Sequence, residues 1–187
     1  MTTKVLVPLA DGVEEMEAVI MIDVFRRAGW QVDVAGIKPG VVTASRGVKL
    51  LPDLPWEEVD PHAYEVIALP GGNLGTLHLM DDERVLQAIR DQHEAGKLLA
   101  AICAGPLVLQ RAGVLDHQTL TCHPLAAHEL KSGTRMDHRV VVSDHIVTSQ
   151  GPGTTFAFAL SIISMRDGRD KALDIARGMV LRPDDIV

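Results

Sequence analysis

An α/β fold with a mostly parallel sheet covered on both faces is predicted by three observations. Short apolar segments recur along the chain without polar alternation, and helical patterns separate them. One segment, residues 98–102, runs directly into Cys103 and the small residues Ala104-Gly105-Pro106 that open a helix. Strands apolar on both sides belong in parallel sheets sandwiched between helices.

The elements follow in order. Residues 4–10 read as the first strand and 13–28 as a helix, in which Glu17, Ile20, Met21, Val24 and Ala28 recur at helical spacing. Residues 30–35 read as a second strand, and 41–44 with 47–51 as a pair of short strands. A strand at 65–69 enters the loop Pro70-Gly71-Gly72-Asn73-Leu74-Gly75, and a helix covers 83–95. After the strand before Cys103 come a helix at 106–112, a short strand at 119–122 and a helix near 125–131. A hairpin pairs 139–142 with 146–149 around Ser143-Asp144-His145, and helices at 153–165 and 169–180 close the chain. No repeat, linker or low-complexity run interrupts the pattern, so residues 1–187 read as one domain.

Composition narrows the function. At 187 residues with 47% apolar content the chain can bury a sizeable core. A net charge of −7 without any Lys/Arg cluster argues against a nucleic-acid partner and for a small or neutral substrate. The apolar run at 4–10 is too short to span a membrane. Two cysteines, Cys103 and Cys122, make no disulfide scaffold, which suits a reducing, cytoplasmic location. The eight histidines show no metal-ligand spacing, and the glycine runs match no nucleotide-binding loop, so no metal and no cofactor is expected.

Chemistry gathers where strands end. A cysteine on a tight strand-to-helix turn stands clear of the backbone, and the first free N–H groups of the helix point at it. Those donors favour negative charge, so the Cys103 thiol is expected to ionise more readily than a free cysteine; the alternative is a buried structural cysteine. Glu17 sits on an apolar stripe, where a carboxyl has its pKa raised and moves protons near neutrality. Alternatively it only complements the helix dipole, the role assigned to Glu14 and Glu15. The Gly72 and Ala104 amides would together hold an oxyanion, or Gly71-Gly72 is an ordinary turn. His123 closes a short strand before Pro124, where it either reaches a neighbouring loop or faces solvent. Asp23 and Arg27 are read as surface charge.

Five collinear motifs tie these hints together: Asp11-Gly12-Val13-Glu14-Glu15-Met16-Glu17, Leu69 to Gly75, Ala101 to Pro106, Cys122-His123-Pro124-Leu125, and Thr148 to Thr154. In this series the chain resembles the ThiJ/PfpI superfamily, and within it the branch of the Parkinson-disease-associated protein deglycase and bacterial YajL. The resemblance implies a flavodoxin-like three-layer α/β/α sandwich with a cysteine nucleophile elbow, and a homodimer. It implies Cys103 as nucleophile, Glu17 as its carboxyl partner and His123 as the nearby histidine. Substrate would be held by the Gly72 and Ala104 amides with Gly71, Arg46, Gly151 and Pro152 around them. Superfamily proteases carry a histidine directly after the nucleophile, whereas Ala104 stands here, which disfavours proteolysis. Cys122 replaces a threonine of the Parkinson-disease-associated protein and should face away from Cys103, because neighbours on a strand point to opposite sides.

Two functions are implied. One is a cofactor-independent glyoxalase or protein deglycase acting on methylglyoxal, glyoxal or their early protein adducts in carbonyl and oxidative stress defence. The other is a redox-sensing stress protein or chaperone whose cysteine is oxidised to sulfinic acid.

Overall fold

In the computed structural model, which describes residues 2–182, the elements assemble around one seven-stranded sheet. The first strand, β1 (Lys4–Leu9), pairs in parallel with β2 (Gln31–Gly36), Leu9 opposite Gly36. On its other side β1 pairs with β6 (Val66–Leu69), and β6 pairs in turn with β7 (Leu98–Ile102), Leu69 opposite Ala101. Beyond β7 lies β11 (Ile146–Ser149), parallel, with β10 (Val140–Ser143) antiparallel at the edge. The far edge is β5 (Leu54–Pro55). The order β10-β11-β7-β6-β1-β2-β5 contains the flavodoxin-like order, with its switch point between β1 and β6. Two small ribbons stand apart: β3 (Val42–Thr43) with β4 (Lys49–Leu50), and β8 (Thr119–Leu120) with β9 (Thr134–Arg135).

Both sheet faces are apolar, as the uninterrupted strands require. Val5, Val7 and Leu9 face one core with α1 (Glu15–Arg27), α5 (Thr155–Asp167) and α6 (Arg169–Gly178). Leu6, Ile67, Leu69 and Leu99 face the other, under α3 (Glu83–Glu94) and α4 (Pro106–Ala112), with α2 (Asn73–Asp81) beside them. The stripe on α1 is the predicted one: Glu17, Met21, Val24 and Ala28 are buried and Ile20 half-buried.

Three expectations need correction. No α-helix covers 125–131; a 3-10 turn at Pro124–Ala126 stands there, because Ala126 alone in that turn is buried and there is no apolar stripe to hold a helix. Conversely, residues 73–75 are not loop but the start of α2. Within that helix position 75 must be glycine because the chain passes close: a Cβ on it would lie 2.7 Å from the Val13 nitrogen. Finally α1 begins at Glu15 rather than Val13, since Glu14 adopts an extended conformation and caps the helix. The pair Asp23 and Arg27 forms a half-exposed ion pair at 2.5 Å on α1. Residue 1 and residues 183–187 of the expected domain lie outside the described residues.

Candidate active site

Strand ends at the switch point deliver three groups to one place. Cys103 follows β7 with φ +63°, a left-handed conformation that a non-glycine residue adopts only under constraint. The constraint is visible: Cys103 N–H donates to the Ser149 carbonyl at 3.0 Å, and the Cys103 carbonyl accepts from His123 N–H at 2.9 Å. Gly105 completes the turn, because a Cβ there would meet the Ile102 and Leu69 carbonyl oxygens at 2.8 and 2.9 Å.

Glu17 reaches the site from α1 and is fully buried. Its Oε2 accepts the Gly71 N–H at 2.7 Å, while Oε1 is buried without a hydrogen-bond partner. Burial raises its pKa from 4.5 to about 7, against the Gly71 N–H and the Cys103 side chain, which lower it, and with the Glu14 charge, which raises it.

Cys103 does not simply ionise more readily, as its place on the elbow suggests. Burial and the Glu17 charge push its thiol up to about 12, although the Gly72 and Ala104 N–H groups pull it down. The two side chains therefore compete for one proton. Protonating Glu17 removes the opposing charge and leaves the two amides working against burial alone, so a thiolate is favoured beside a protonated Glu17 over one beside an ionised Glu17. The carboxyl is the natural acceptor for the thiol proton.

The glycine pair is required by close approach. A Cβ on Gly71 would lie 2.5 Å from the Cys103 Cβ, and one on Gly72, at φ +92°, would lie 2.3 Å from the Gly12 oxygen. Gly72 thus turns its amide to the sulfur, whereas the Gly71 amide is spent on Glu17 and is not offered to a substrate.

A cleft of about 820 Å³ opens above Cys103, and Gly72, Ala104, His123, Arg46 and Pro152 line it. Glu17, Gly71 and Gly151 lie behind this wall; a Cβ on Gly151 would approach the His123 ring carbon to 3.2 Å and Glu17 Oε1 to 4.0 Å. His123 Nδ1 accepts the Leu125 N–H at 3.2 Å, so the neutral ring carries its proton on Nε2 as a donor. Arg46 is exposed at the rim. Cys122 is buried, its thiol raised by burial and lowered by Arg135.

Two acidic residues do more than complement the helix dipole. Glu14 lines the cleft and its Oε2 accepts the Glu17 N–H at 2.8 Å, fixing the start of the helix that carries Glu17. Glu15 is buried and accepts from Ser45 Oγ and Arg46 N–H, both at 2.8 Å, anchoring the loop that bears Arg46. A run of three glutamates within four residues is the only trace of these roles in the sequence. Among the described residues no three His, Cys, Asp or Glu side chains are grouped to hold a metal ion, and no helix is long and apolar enough to cross a membrane.

A doubly covered sheet with a cysteine elbow and a buried carboxyl at its switch point is the architecture of a known class. Residues 3–165 match the model of the DJ-1/PfpI family, and the chain belongs to that family. Protein dj-1beta of Drosophila melanogaster is 40% identical over 184 residues, covering 97% of this chain and 98% of the relative. The crystal structure of Drosophila melanogaster DJ-1beta superimposes with a TM-score of 0.94 at 39% identity, over 97% of this chain and 100% of that one. A Caenorhabditis elegans relative named glutathione-independent glyoxalase DJR-1.2 is 34% identical over 95% of each chain. Protein DJ-1 homolog B of Arabidopsis thaliana is 39% identical over 96% of this chain, which spans only 42% of that longer protein.

Proposed function

We propose that the protein is a glyoxalase working through Cys103 on 2-oxoaldehydes such as methylglyoxal and glyoxal, and on their early protein adducts, as a cytoplasmic homodimer. The observation that carries this reading is a thiol on a strained elbow beside a buried carboxyl whose pKa is raised to about 7. A proton acceptor poised near working pH is what a proton-transfer reaction needs. The Caenorhabditis elegans relative named a glyoxalase supports the same chemistry.

The steps balance using side chains and amides of this chain. Glu17 takes the proton from Cys103, and the sulfur adds to the aldehyde carbon of methylglyoxal, forming a C–S bond. The developing oxyanion sits between the Gly72 and Ala104 N–H groups until the proton on Glu17 returns to it, giving a hemithioacetal. Glu17, again ionised, removes the proton from that carbon and delivers it to the neighbouring carbon, while the hydroxyl proton moves to the second oxygen. The product is a 2-hydroxyacyl thioester on Cys103. Water cleaves the C–S bond, releasing lactate and restoring the thiol. His123 Nε2–H donates to a substrate oxygen during these steps, and Arg46 guards the entrance.

The test is time-resolved lactate formation from methylglyoxal by the wild type, Cys103→Ser and Glu17→Gln, with intact mass recorded alongside. Many turnovers per cysteine, abolished in both variants, are expected. No turnover, with peroxide adding two oxygens to Cys103, would replace the glyoxalase by a redox sensor. Incubation with pre-formed adducts under removal of free aldehyde separates deglycase action from scavenging.

A further inference from the structure

The cleft is much larger than the substrates that would test it. At about 820 Å³ it matches pockets that enclose drug-sized ligands rather than a three-carbon dicarbonyl. Its reacting end is polar, with Cys103, the two amides and His123. Farther from the thiol, exposed apolar side chains join the lining. Leu74, in the first turn of α2, and Leu125, in the 3-10 turn after His123, both line the cleft and are 51% and 77% exposed. Leu107 and Ala126 line the same cleft and pack with Ala104 in a small apolar cluster supported by Met80 and Leu130. A single exposed leucine means nothing, but two lining one cleft together with an apolar cluster offer apolar surface to a substituent.

Charge narrows the class further. Asp11, Glu14 and Glu129 line the same cleft against one arginine, Arg46, so an anionic substituent meets net negative charge there. The loops are held in place rather than free to collapse. Leu125 N–H is bound to His123 Nδ1, and Leu74 lies in the first turn of α2, its side chain against Gly12.

Resting on the glyoxalase reading of Cys103, we infer that the Leu74–Leu107–Leu125 shelf is a substituent pocket, and that the preferred substrates are uncharged 2-oxoaldehydes bearing a bulky apolar group, aryl or branched alkyl. The carbonyl pair would reach Cys103 while the ring or chain lies across the shelf. The reaction is the same internal redox isomerisation: phenylglyoxal plus water gives mandelate, the aldehyde carbon being oxidised and its neighbour reduced.

Initial rates with phenylglyoxal, 4-carboxyphenylglyoxal and methylglyoxal decide the matter, measured on the wild type, Leu74→Ser and Leu125→Ser at matched oligomeric state. Removing apolar surface from a substituent pocket changes discrimination by about tenfold or more. The kcat/KM ratio of phenylglyoxal to methylglyoxal is therefore expected to exceed ten in the wild type and to fall about tenfold in each variant, mainly through KM. The carboxylated analogue is expected below phenylglyoxal in the wild type. Methylglyoxal turnover with no change of ratio in either variant, or a variant that changes the oligomeric state, overturns the shelf and leaves the glyoxalase reading standing. No turnover of any of the three aldehydes overturns both.

Discussion

Glu17→Gln should inactivate the protein and stabilise it at the same time, and the second effect is the sharper test of the proton argument. The carboxyl is fully buried, and its pKa stands at about 7 against 4.5 for an exposed glutamate. Because the folded-state value is the higher one, the native state holds more protons than the unfolded chain between these two values. Stability from this group is fully present below pH 4.5, falls as pH rises, and is lost above pH 7. At about 1.4 kcal/mol per pH unit, the interval corresponds to roughly 3 kcal/mol. Glutamine keeps an oxygen for the Gly71 N–H and cannot ionise, so it escapes this penalty. Its amide must still find partners where Oε1 has none, which makes 3 kcal/mol an upper bound. The assay is denaturant unfolding of both proteins from pH 4.5 to 8.5. The stability difference, variant minus wild type, should rise with pH by about 2–3 kcal/mol and level off above pH 7.5. Parallel profiles would refute the reasoning, since they would mean that Glu17 titrates alike in folded and unfolded chains.

Further outcomes follow from the same geometry. Glu17→Gln is expected to lower kcat by about 10²–10⁴, the range for loss of a positioned proton carrier, measured as lactate formation; retention of activity would remove Glu17 from the reaction. Gly72→Ala places a methyl 2.3 Å from the Gly12 oxygen at φ +92° and should destabilise by at least about 2 kcal/mol in denaturant unfolding. A change below about 0.5 kcal/mol would show that the loop has room to yield. Glu15→Ala removes the acceptor for Ser45 Oγ and Arg46 N–H; amide exchange at residues 45–46 should quicken and KM should rise with kcat nearly unchanged, whereas unchanged exchange would mean the loop is held otherwise. His123→Ala, by removing the Nε2–H donor, should lower kcat/KM about tenfold through a lost hydrogen bond while leaving thiol alkylation of Cys103 intact.

Local patterns in the chain were enough for six of the seven strands of the sheet, though not for the two-residue edge strand β5, and for marking Cys103 and Glu17 as candidates, because each of these has a local signature. Strands buried on both faces carry no polar alternation, and the β7-to-α4 turn announces itself by small residues after an apolar run. Glu17 is legible since a charge on the stripe of Met21, Val24 and Ala28 contradicts its surroundings. Features set by tertiary approach were not legible. Gly75 reads as a loop residue, yet it lies in α2 and is glycine because Val13 passes beside it. Residues 125–131 read as a helix, but Ala126 and Leu130 alone pack inward there and Leu125 is left on the cleft wall. The roles of Glu14 and Glu15 depend on partners at Glu17 N–H and in the loop 45–46, which no spacing rule connects.

The thiol pKa shows why adding local rules misleads at such a site. The elbow amides taken alone lower it, and the helix start after Cys103 points the same way. Burial and the charge of Glu17, 86 residues earlier in the chain, reverse the outcome, because the strand order sets β6 between β1 and β7 and so brings α1, which follows β1, and the elbow after β7 to the same Gly71-Gly72 turn. Neither group is tuned by itself. The strained backbone at Cys103 and the buried charge at Glu17 both oppose folding, and both lie against the Gly71-Gly72 turn. Their coincidence at one thiol–carboxyl pair is hard to explain by stability, which would favour an apolar residue at 17 and glycine at 103, and is what a proton-transferring nucleophile requires.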